Sequence, residues 1–361
     1  MGNQIGQRVA DLLPEGRTRR EIASVVGMTP DAFSRALSGQ RGFAAIELAR
    51  LADLLGADLH YLITGEADPH QLTIAARHDY DPETGRRDVP GADRDRGILA
   101  DIELAYRQAE SAGLPPSDVP ESVAQARQQL GADFVRPFAD RLEAIGIDVV
   151  RLPELSTAYT FVVAGRAVIV LRSTGNWFWE NWALAHELGH LALKHRDVGR
   201  TTDQVRDRHE KNANHFAAEL LMPQQMLRDL DWAHLAAAGL ASRAWDLGVS
   251  TNALDKRLAA LAIPASPVVA EWAQQPTQRL LRRHWHPVED GDPITRRMDA
   301  AATRRFPLAL QDAHLSLIAQ GSLHKATLAW MLGVDADSLE VDEPTPPPSL
   351  STAELTTALG I

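Results

Sequence analysis

The sequence contains no cysteine among its 361 residues. This absence excludes disulfide bonds, thiolate metal sites, iron–sulfur clusters and cysteine nucleophiles, so any bound metal must use histidine and carboxylate ligands. An excess of basic residues is also lacking, because 37 lysines and arginines are outnumbered by 48 acidic residues and the net charge is −11. Any contact with a nucleic acid must therefore come from a local basic cluster.

Long hydrophobic runs are missing as well. The first 25 residues lack the apolar core of a signal peptide, and no stretch of about 18 apolar residues occurs. These two features predict a soluble cytoplasmic protein with no membrane partner. Hydrophobic residues make up 45% of the chain, which is enough to form a sizeable core. At roughly 100–200 residues per domain, the length suggests two or three domains.

The hydrophobic pattern predicts a mainly α-helical chain with a small β-sheet, an α+β fold. Five short helices are predicted between residues 4 and 63. Residues 66–97 are polar, carry Pro, Gly and mixed charge, and are predicted to form a linker. The segment 98–265 has helical patterns around three short strand patterns, and residues 266–361 are predicted to be helical with a Pro-rich tail. The predicted strands are Asp148–Leu152, Thr160–Val163 and Ala167–Leu171, the last two as a hairpin.

The strongest chemical signal is the segment His186-Glu187-Leu188-Gly189-His190. Two histidines four residues apart on a helix lie on one side, so both imidazoles can reach one ion. Glu187 is rotated about 100° from the first ligand, a position that suits a general base which does not bind the metal. Aromatic and leucine residues around the motif favour a buried helix, in which polar groups need a shared partner. The motif therefore predicts a Zn²⁺ site, the alternative being a chance match on a surface helix.

Two histidines leave the ion under-coordinated, so a third protein ligand is needed. The best candidate is Glu210, twenty residues after His190 and on the next predicted helix. Asn214 lies one turn further on the same face, where it could accept a hydrogen bond from His186 or His190 or orient Glu210. Its rivals are His209, His215 and Glu219. His209 is adjacent to Glu210 in the sequence and points elsewhere on the helix, and Glu219 lies about two and a half turns further on a different face. The histidines interpreted as solvated or core residues are His195, His209 and His215.

Two blocks of this region closely resemble the ImmA/IrrE family of zinc metallopeptidases, AHELGHLAL and EKNANHFAAELLMP. The resemblance covers about residues 98–265 and implies a thermolysin-like minimal zincin domain. Carried over by motif, His186, His190 and Glu210 resemble the zinc ligands, and Glu187 resembles the catalytic glutamate. In that family the protease cleaves a helix-turn-helix repressor and so derepresses stress or mobile-element genes.

Peptide hydrolysis of this type also needs an oxyanion donor and a place for the substrate. His234, twenty-four residues after Glu210, is one candidate donor, with a structural role as the alternative. An extended substrate segment is expected to pair with an edge strand of the sheet, for which Ala167–Leu171 is the candidate.

The N-terminal segment contains a second motif, a helix, a glycine-containing turn and another helix over residues 18–37. Residues 1–65 resemble the Cro/phage-repressor (XRE) helix-turn-helix family, which implies a five-helix domain that binds DNA. Seven arginines balance seven acidic residues there, so the alternative is a helical bundle that binds protein. The candidate DNA-contacting residues are Thr29, Asp31, Ser34 and Arg35 on the second helix, with Arg19, Arg20 and Arg41 for phosphates.

Together these features predict a regulatory zinc endopeptidase that acts on a protein substrate and carries an N-terminal DNA- or repressor-binding domain. The alternative is a DNA-binding transcription regulator whose zinc site is structural or sensory. Glu187 favours the enzyme, because a purely structural site has no use for a general base beside its ligands.

Overall fold

A computed structural model describes residues 2–14, 16–55, 57, 59–65, 75–76, 79–81, 86–88, 91–195, 203–286, 291–342 and 344. The chain divides into two compact units, residues 1–73 with 197–202 and residues 74–196 with 203–361. Each unit has its own hydrophobic core. Within the described residues, every helix is too short or too polar to cross a membrane.

The described part of the N-terminal unit consists of five helices, as the sequence predicts. They are α1 (Gly2–Asp11), α2 (Arg19–Val26), α3 (Pro30–Leu37), α4 (Ala45–Leu55) and α5 (Leu59–Thr64). Thr18 and Glu21 form a capping box at the start of α2, with 2.7 Å between the Thr18 amide nitrogen and the Glu21 carboxylate. Gly27 ends α2 in the left-handed region, at φ 78°, where residues other than glycine are strained. Thr29 then caps α3, and the buried Val26 and Phe33 belong to one core.

The second unit contains a small sheet whose three main strands match the predicted ones. Its strands are β1 (Ala75–Ala76), β4 (Ile147–Leu152), β5 (Tyr159–Val163) and β6 (Arg166–Arg172). A separate two-stranded sheet pairs β2 (Asp79–Asp81) with β3 (Arg86–Asp88) in antiparallel orientation. The strand order is β1-β5-β6-β4, with β5 antiparallel and β4 parallel to β6. The mainly helical fold with a small sheet is therefore confirmed.

The expectation that Ala167–Leu171 forms an edge of the sheet is wrong. These residues lie in β6, whose two sides are hydrogen-bonded to β5 and β4, so its backbone has no free side for a substrate. β1 covers only Tyr159 and Thr160 of β5. The described part of the sheet therefore has two edges, the part of β5 beyond Thr160 and the outer side of β4.

Thirteen helices complete the described part of this unit. They are α6 (Ala92–Gln108), α7 (Val123–Leu130), α8 (Phe138–Ala144), α9 (Trp177–Ala192), α10 (Asp203–Leu221), α11 (Gln224–Arg228), α12 (Ala237–Leu247), α13 (Thr251–Ala260), α14 (Pro267–Ala273), α15 (Thr277–His284), α16 (Pro293–Ala302), α17 (Leu308–Ala319) and α18 (Ala326–Leu332). α6 begins six residues before the predicted Ile98, because its first turns are polar and give no hydrophobic signal. The remainder of the predicted linker 66–97, apart from the short strands and Gly91, lies outside the described residues, as does most of the Pro-rich tail.

The core of this unit surrounds α9, which packs against the sheet on one side and against α10 on another. Helices after residue 265 join the same core, with Val269, Leu280 and Ala301 buried in it. The backbone of Arg305 also pairs with that of Arg151 on β4. The sheet and the C-terminal helices therefore hold α9 from several sides.

Candidate metal centre

The metal-binding motif lies on α9, a helix buried along most of its length. The Asn176 side chain caps its first turn by accepting a hydrogen bond from the Trp179 amide at 3.3 Å. Gly189 lies against α10, where a Cβ atom would come within 3.1 Å of Phe216 and 3.2 Å of Ala213. A Cβ atom would push α9 and α10 slightly apart, so glycine favours this close approach of the two helices. The approach brings Glu210 of α10 next to the histidines of α9.

The three predicted ligands form one buried cluster. The Nε2 atoms of His186 and His190 are 3.1 Å apart, and the Glu210 carboxylate lies 3.3 Å from the first and 3.7 Å from the second. A tetrahedral ion with zinc–nitrogen bonds of 2.0–2.1 Å would set its ligand atoms about 3.3 Å apart. The spacing of the cluster therefore fits one metal ion. Among the described residues, this is the one group of three or more potential ligands whose ligand atoms lie close enough together to share an ion.

The electrostatic environment keeps His190 in the form that binds metals. Burial, assisted by the neighbouring His186, lowers the pKa of His190 to about 3. Its imidazole is therefore neutral at physiological pH, with a lone pair available for a cation. The carboxylate of Glu210 supplies the negative charge that a divalent ion prefers.

Two further side chains orient the histidine rings from behind. The Nδ1–H of His186 donates to Asn214 Oδ1 at 3.2 Å, and Nε2 of the same ring faces Glu210 and His190. The Nδ1 atom of His190 lies 3.2 Å from His195 Nδ1, and the His195 ring stacks on His209 at 4.0 Å. Each ligand ring is thereby held through the nitrogen that does not face the cluster.

His195 is the residue that the sequence interpretation missed. Helical periodicity places it off the metal face, but α9 ends at Ala192 and Lys194 adopts a left-handed φ of 55°. That turn folds His195 back against His190. No periodic signal in the sequence could have indicated it, because the contact depends on the backbone after the helix.

Glu187 and the rival residues occupy distinct environments. Glu187 is fully buried in α9, directly after the first ligand. The carboxylate of Glu219 pairs with Arg257 and accepts the Gln224 amide, and His215 is exposed. His234 is also in solvent, 86% exposed and 2.9 Å from Asp231, so its position gives no support to an oxyanion role beside the buried cluster.

A cavity of about 640 Å³ opens beside the cluster, between α9, α10 and α13. Asn214, the hydrogen-bond partner of His186, is part of its wall. Trp179 and Trp182 give the cavity a largely apolar aromatic side. It is large enough to accept a bulky side chain next to the candidate metal centre.

The candidate DNA-contacting residues of the N-terminal unit are mostly at the surface. Those that are exposed are Arg19, Arg20, Thr29, Asp31, Ser34 and Arg35. Arg35 pairs with Asp31 at 3.1 Å, one turn away on α3. Arg41 differs, because its guanidinium donates two hydrogen bonds to Glu47, at 3.0 and 2.8 Å. Its charge is therefore largely offset within the unit.

Replacing Glu210 with Ala is expected to reduce bound metal to a small fraction of the wild-type content, because it removes one of three ligands. Glu219→Ala, on the same helix, is expected to leave the metal content unchanged. Metal analysis of the two purified full-length variants checks both expectations. If Glu219→Ala loses metal and Glu210→Ala retains it, the third ligand is misassigned.

Comparison with known proteins agrees with this geometry over one part of the chain. Residues 142–259 match the model of a peptidase family described as the IrrE N-terminal-like domain. Searches of curated proteins and of solved structures found no match. The matched segment contains β4, β5, β6, α9 and α10, and with them all three residues of the buried cluster. The match thus supports a metallopeptidase of the ImmA/IrrE type in the region that holds the candidate metal centre.

Proposed function

We propose that this protein is a Zn²⁺-dependent endopeptidase. The observation that carries the proposal is the buried group of His186, His190 and Glu210, which shares its helix pair with the buried Glu187. These residues would hold the ion, and their mixture of imidazole and carboxylate is a donor set typical of catalytic zinc. When bound there, Zn²⁺ would polarise a scissile carbonyl and acidify a water molecule.

The residues of the chain have separate tasks in this proposal. Glu187 accepts the proton of the attacking water and later returns it to the leaving amine. Asn214 fixes the tautomer of His186, and His195 restrains the ring of His190. The burial of the cluster excludes bulk water and strengthens these electrostatic interactions.

The proposed substrate is a protein met in an extended segment. The edge of β5, rather than Ala167–Leu171, is then the strand that pairs with it, through the backbone after Thr160. The cavity lined by Trp179 and Trp182 would accept a large apolar side chain of that segment. This geometry favours a narrow specificity over general degradation of unfolded proteins.

We further propose that the substrate is a helix-turn-helix repressor and that residues 1–65 select it, either directly or by binding the same operator DNA. Tethering such a unit to a protease raises the effective concentration of protease near its target. The supporting feature is the exposed surface of α3, which presents Ser34 and Arg35 to solvent.

The test is co-incubation of the full-length protein with helix-turn-helix repressors encoded by neighbouring genes, followed by mass spectrometry of fragments. Wild type is expected to cut one of them at a defined bond, and Glu187→Gln is expected not to. A variant that lacks residues 1–73, with its fold checked by circular dichroism, is expected to cut more slowly at low concentration. Free degradation of unrelated unfolded proteins by the wild type would contradict the regulatory protease. Absence of any cleavage, together with metal-dependent operator binding, would favour a transcription regulator with a sensory metal site.

Single arginine substitutions test DNA binding. Arg35→Ala is expected to lower the preference for the operator over random DNA by about tenfold, because a base-reading side chain contributes about 1–3 kcal/mol. Arg19→Ala and Arg20→Ala are expected to weaken binding to every sequence and to reduce the salt slope by about 1 each. Arg41→Ala is the comparison and should have a smaller effect, since Glu47 already holds that guanidinium. Failure of the wild type to bind any DNA, even at low salt, would contradict DNA binding by residues 1–65 and would favour the alternative that they bind a protein.

A further inference from the structure

A second cavity, of about 350 Å³, lies beside the first turn of α9. None of the three candidate metal ligands lines it, so it is distinct from the metal centre. Its wall is rich in arginine and contains only two carboxylates, Asp140 and Glu180. The arginines are Arg136, Arg151, Arg297, Arg304 and Arg305.

Three of the residues that line this cavity each carry a buried N–H group with no hydrogen-bond partner in the described part of the chain. They are Nε of Arg151, Nε1 of Trp177 and Nη1 of Arg297. Arg151 and Trp177 are buried and Arg297 is half-buried, but all three nitrogen atoms are shielded from bulk solvent, which therefore does not satisfy them. Buried donors are nearly always paired in folded proteins. All three groups are donors, so what would satisfy them is an acceptor.

Arg297 also differs from the other arginines in its charge balance. Arg151 pairs with Glu180 at 2.5 Å and Arg305 pairs with Asp140 at 2.6 Å. Arg304 pairs with Glu154 at 3.2 Å, and Arg136 has two aspartates at 3.9 Å. Among the described residues, no carboxylate lies within ion-pair distance of Arg297, and its electrostatic attraction to Glu180 acts over a longer distance.

The guanidinium of Arg297 is held in place by aromatic rings instead. It lies 5.1 Å from the ring centre of Trp177 and 4.9 Å from that of Trp245, and its Nη2 donates to the Val135 carbonyl at 2.8 Å. Burial lowers the pKa of Arg297 to about 10, so the group remains a cation at neutral pH. A fixed positive charge with an unused donor is typical of anion recognition.

We propose that this cavity binds a small molecule through an oxyanion, a phosphate or carboxylate group, with Arg297, Arg151 and Trp177 as its donors. An oxyanion supplies several acceptor lone pairs and a negative charge that can contact Arg297 directly. The volume exceeds that of a single oxyanion and lies in the size range of small-molecule sites, so the cavity has room for a ligand with further atoms.

The site connects three elements that meet at the start of the metal-binding helix. Trp177 is the first residue of α9, Arg151 belongs to β4 and Arg297 belongs to α16. A bound anion would tie these elements together and stabilise the folded state by mass action. The inference does not depend on peptidase activity, because none of its residues is a candidate ligand or base.

The experiment is calorimetric titration of the full-length protein with inorganic phosphate, and separately with acetate, at constant ionic strength in sodium chloride. One site per chain is expected, and the tighter of the two anions identifies the group. Arg297→Gln is expected to raise the dissociation constant at least tenfold. Trp177→Phe, which removes the indole N–H and leaves a smaller aromatic ring, is expected to raise it several-fold. Arg283→Gln, an exposed arginine on α15 outside the cavity, is expected to bind like the wild type. His186→Ala should also bind like the wild type, which separates this site from anion binding at the metal.

Three outcomes would overturn the proposal. The first is that neither anion binds at millimolar concentration or raises the melting temperature, which would show that the donors are satisfied by water alone. The second is that Arg297→Gln and Trp177→Phe bind as tightly as the wild type. The third is that His186→Ala abolishes binding, which would place the anion at the metal centre. Circular dichroism of each variant verifies its fold, and Trp177→Phe keeps the test decisive if Arg297→Gln is unstable.

Discussion

Glu187→Gln is expected to slow cleavage of the substrate by about 10²–10⁴-fold while the protein keeps one metal ion per chain. The amide has nearly the shape of the carboxylate, so the fully buried position on α9 is preserved. It cannot accept a proton, however, and the attacking water then loses its base. Steady-state measurement of kcat/KM on the cleaved segment, with metal analysis of the same sample, separates these two effects.

The matched control is Glu271→Gln, an exposed glutamate on α14. It makes the same chemical change at a residue that takes no part in the proposed metal site or catalysis. The cleavage rate and the metal content of this variant are therefore expected to equal those of the wild type. Loss of metal from Glu187→Gln would show that Glu187 is a ligand. An unchanged rate would show that another group is the base.

Asp148→Ala is expected to lower the free energy of unfolding of the second unit by about 3–5 kcal/mol. Asp148 lies buried on β4, where it accepts hydrogen bonds from Arg166 Nε at 3.0 Å and from the Tyr106 hydroxyl at 2.8 Å. Arg166 is itself buried and also donates to the Pro115 carbonyl at 2.7 Å. Removal of the carboxylate leaves a guanidinium in the core without its counter-charge, which is far more costly than loss of a surface pair.

Urea unfolding followed by tryptophan fluorescence reports on the second unit, because all eight tryptophans lie after residue 176 and belong to that unit. Glu103→Ala is the control. Glu103 and Arg107 form an ion pair on α6, with 2.6 Å between carboxylate and guanidinium, and this pair is more exposed to solvent than Asp148 and Arg166. The control substitution is expected to cost under about 1 kcal/mol. Equal effects of the two substitutions would mean that the buried pair does not stabilise the sheet.

Local signals in the sequence predict much of the fold. The capping box of Thr18 and Glu21 and the glycine at 27 depend on residues within one turn, so they can be recognised without the tertiary structure. The strand boundaries follow from short apolar runs for the same reason. The order of the strands in the sheet cannot be read from such runs. The expected edge position of Ala167–Leu171 is wrong for this reason, because β4 and β5 lie on its two sides.

The candidate site divides in the same way. His186 and His190 are linked by helical spacing alone, but the choice of Glu210 over Glu219 depends on how α10 crosses α9 at Gly189. The position of His195 depends on Lys194, which adopts a left-handed conformation just after the helix. The exposure of His234 depends on a turn in which its ring contacts Asp231. Contacts between elements decide these positions, and residue spacing does not encode them.

The most direct test of the central claim is the metal content of the full-length wild type beside that of His186→Ala and His190→Ala, measured by mass spectrometry of the metal. The account predicts about one zinc per chain in the wild type and almost none in either variant, because two ligands cannot hold the ion. Full zinc content in both histidine variants would contradict it, since the buried group of His186, His190 and Glu210 would then not be the metal site.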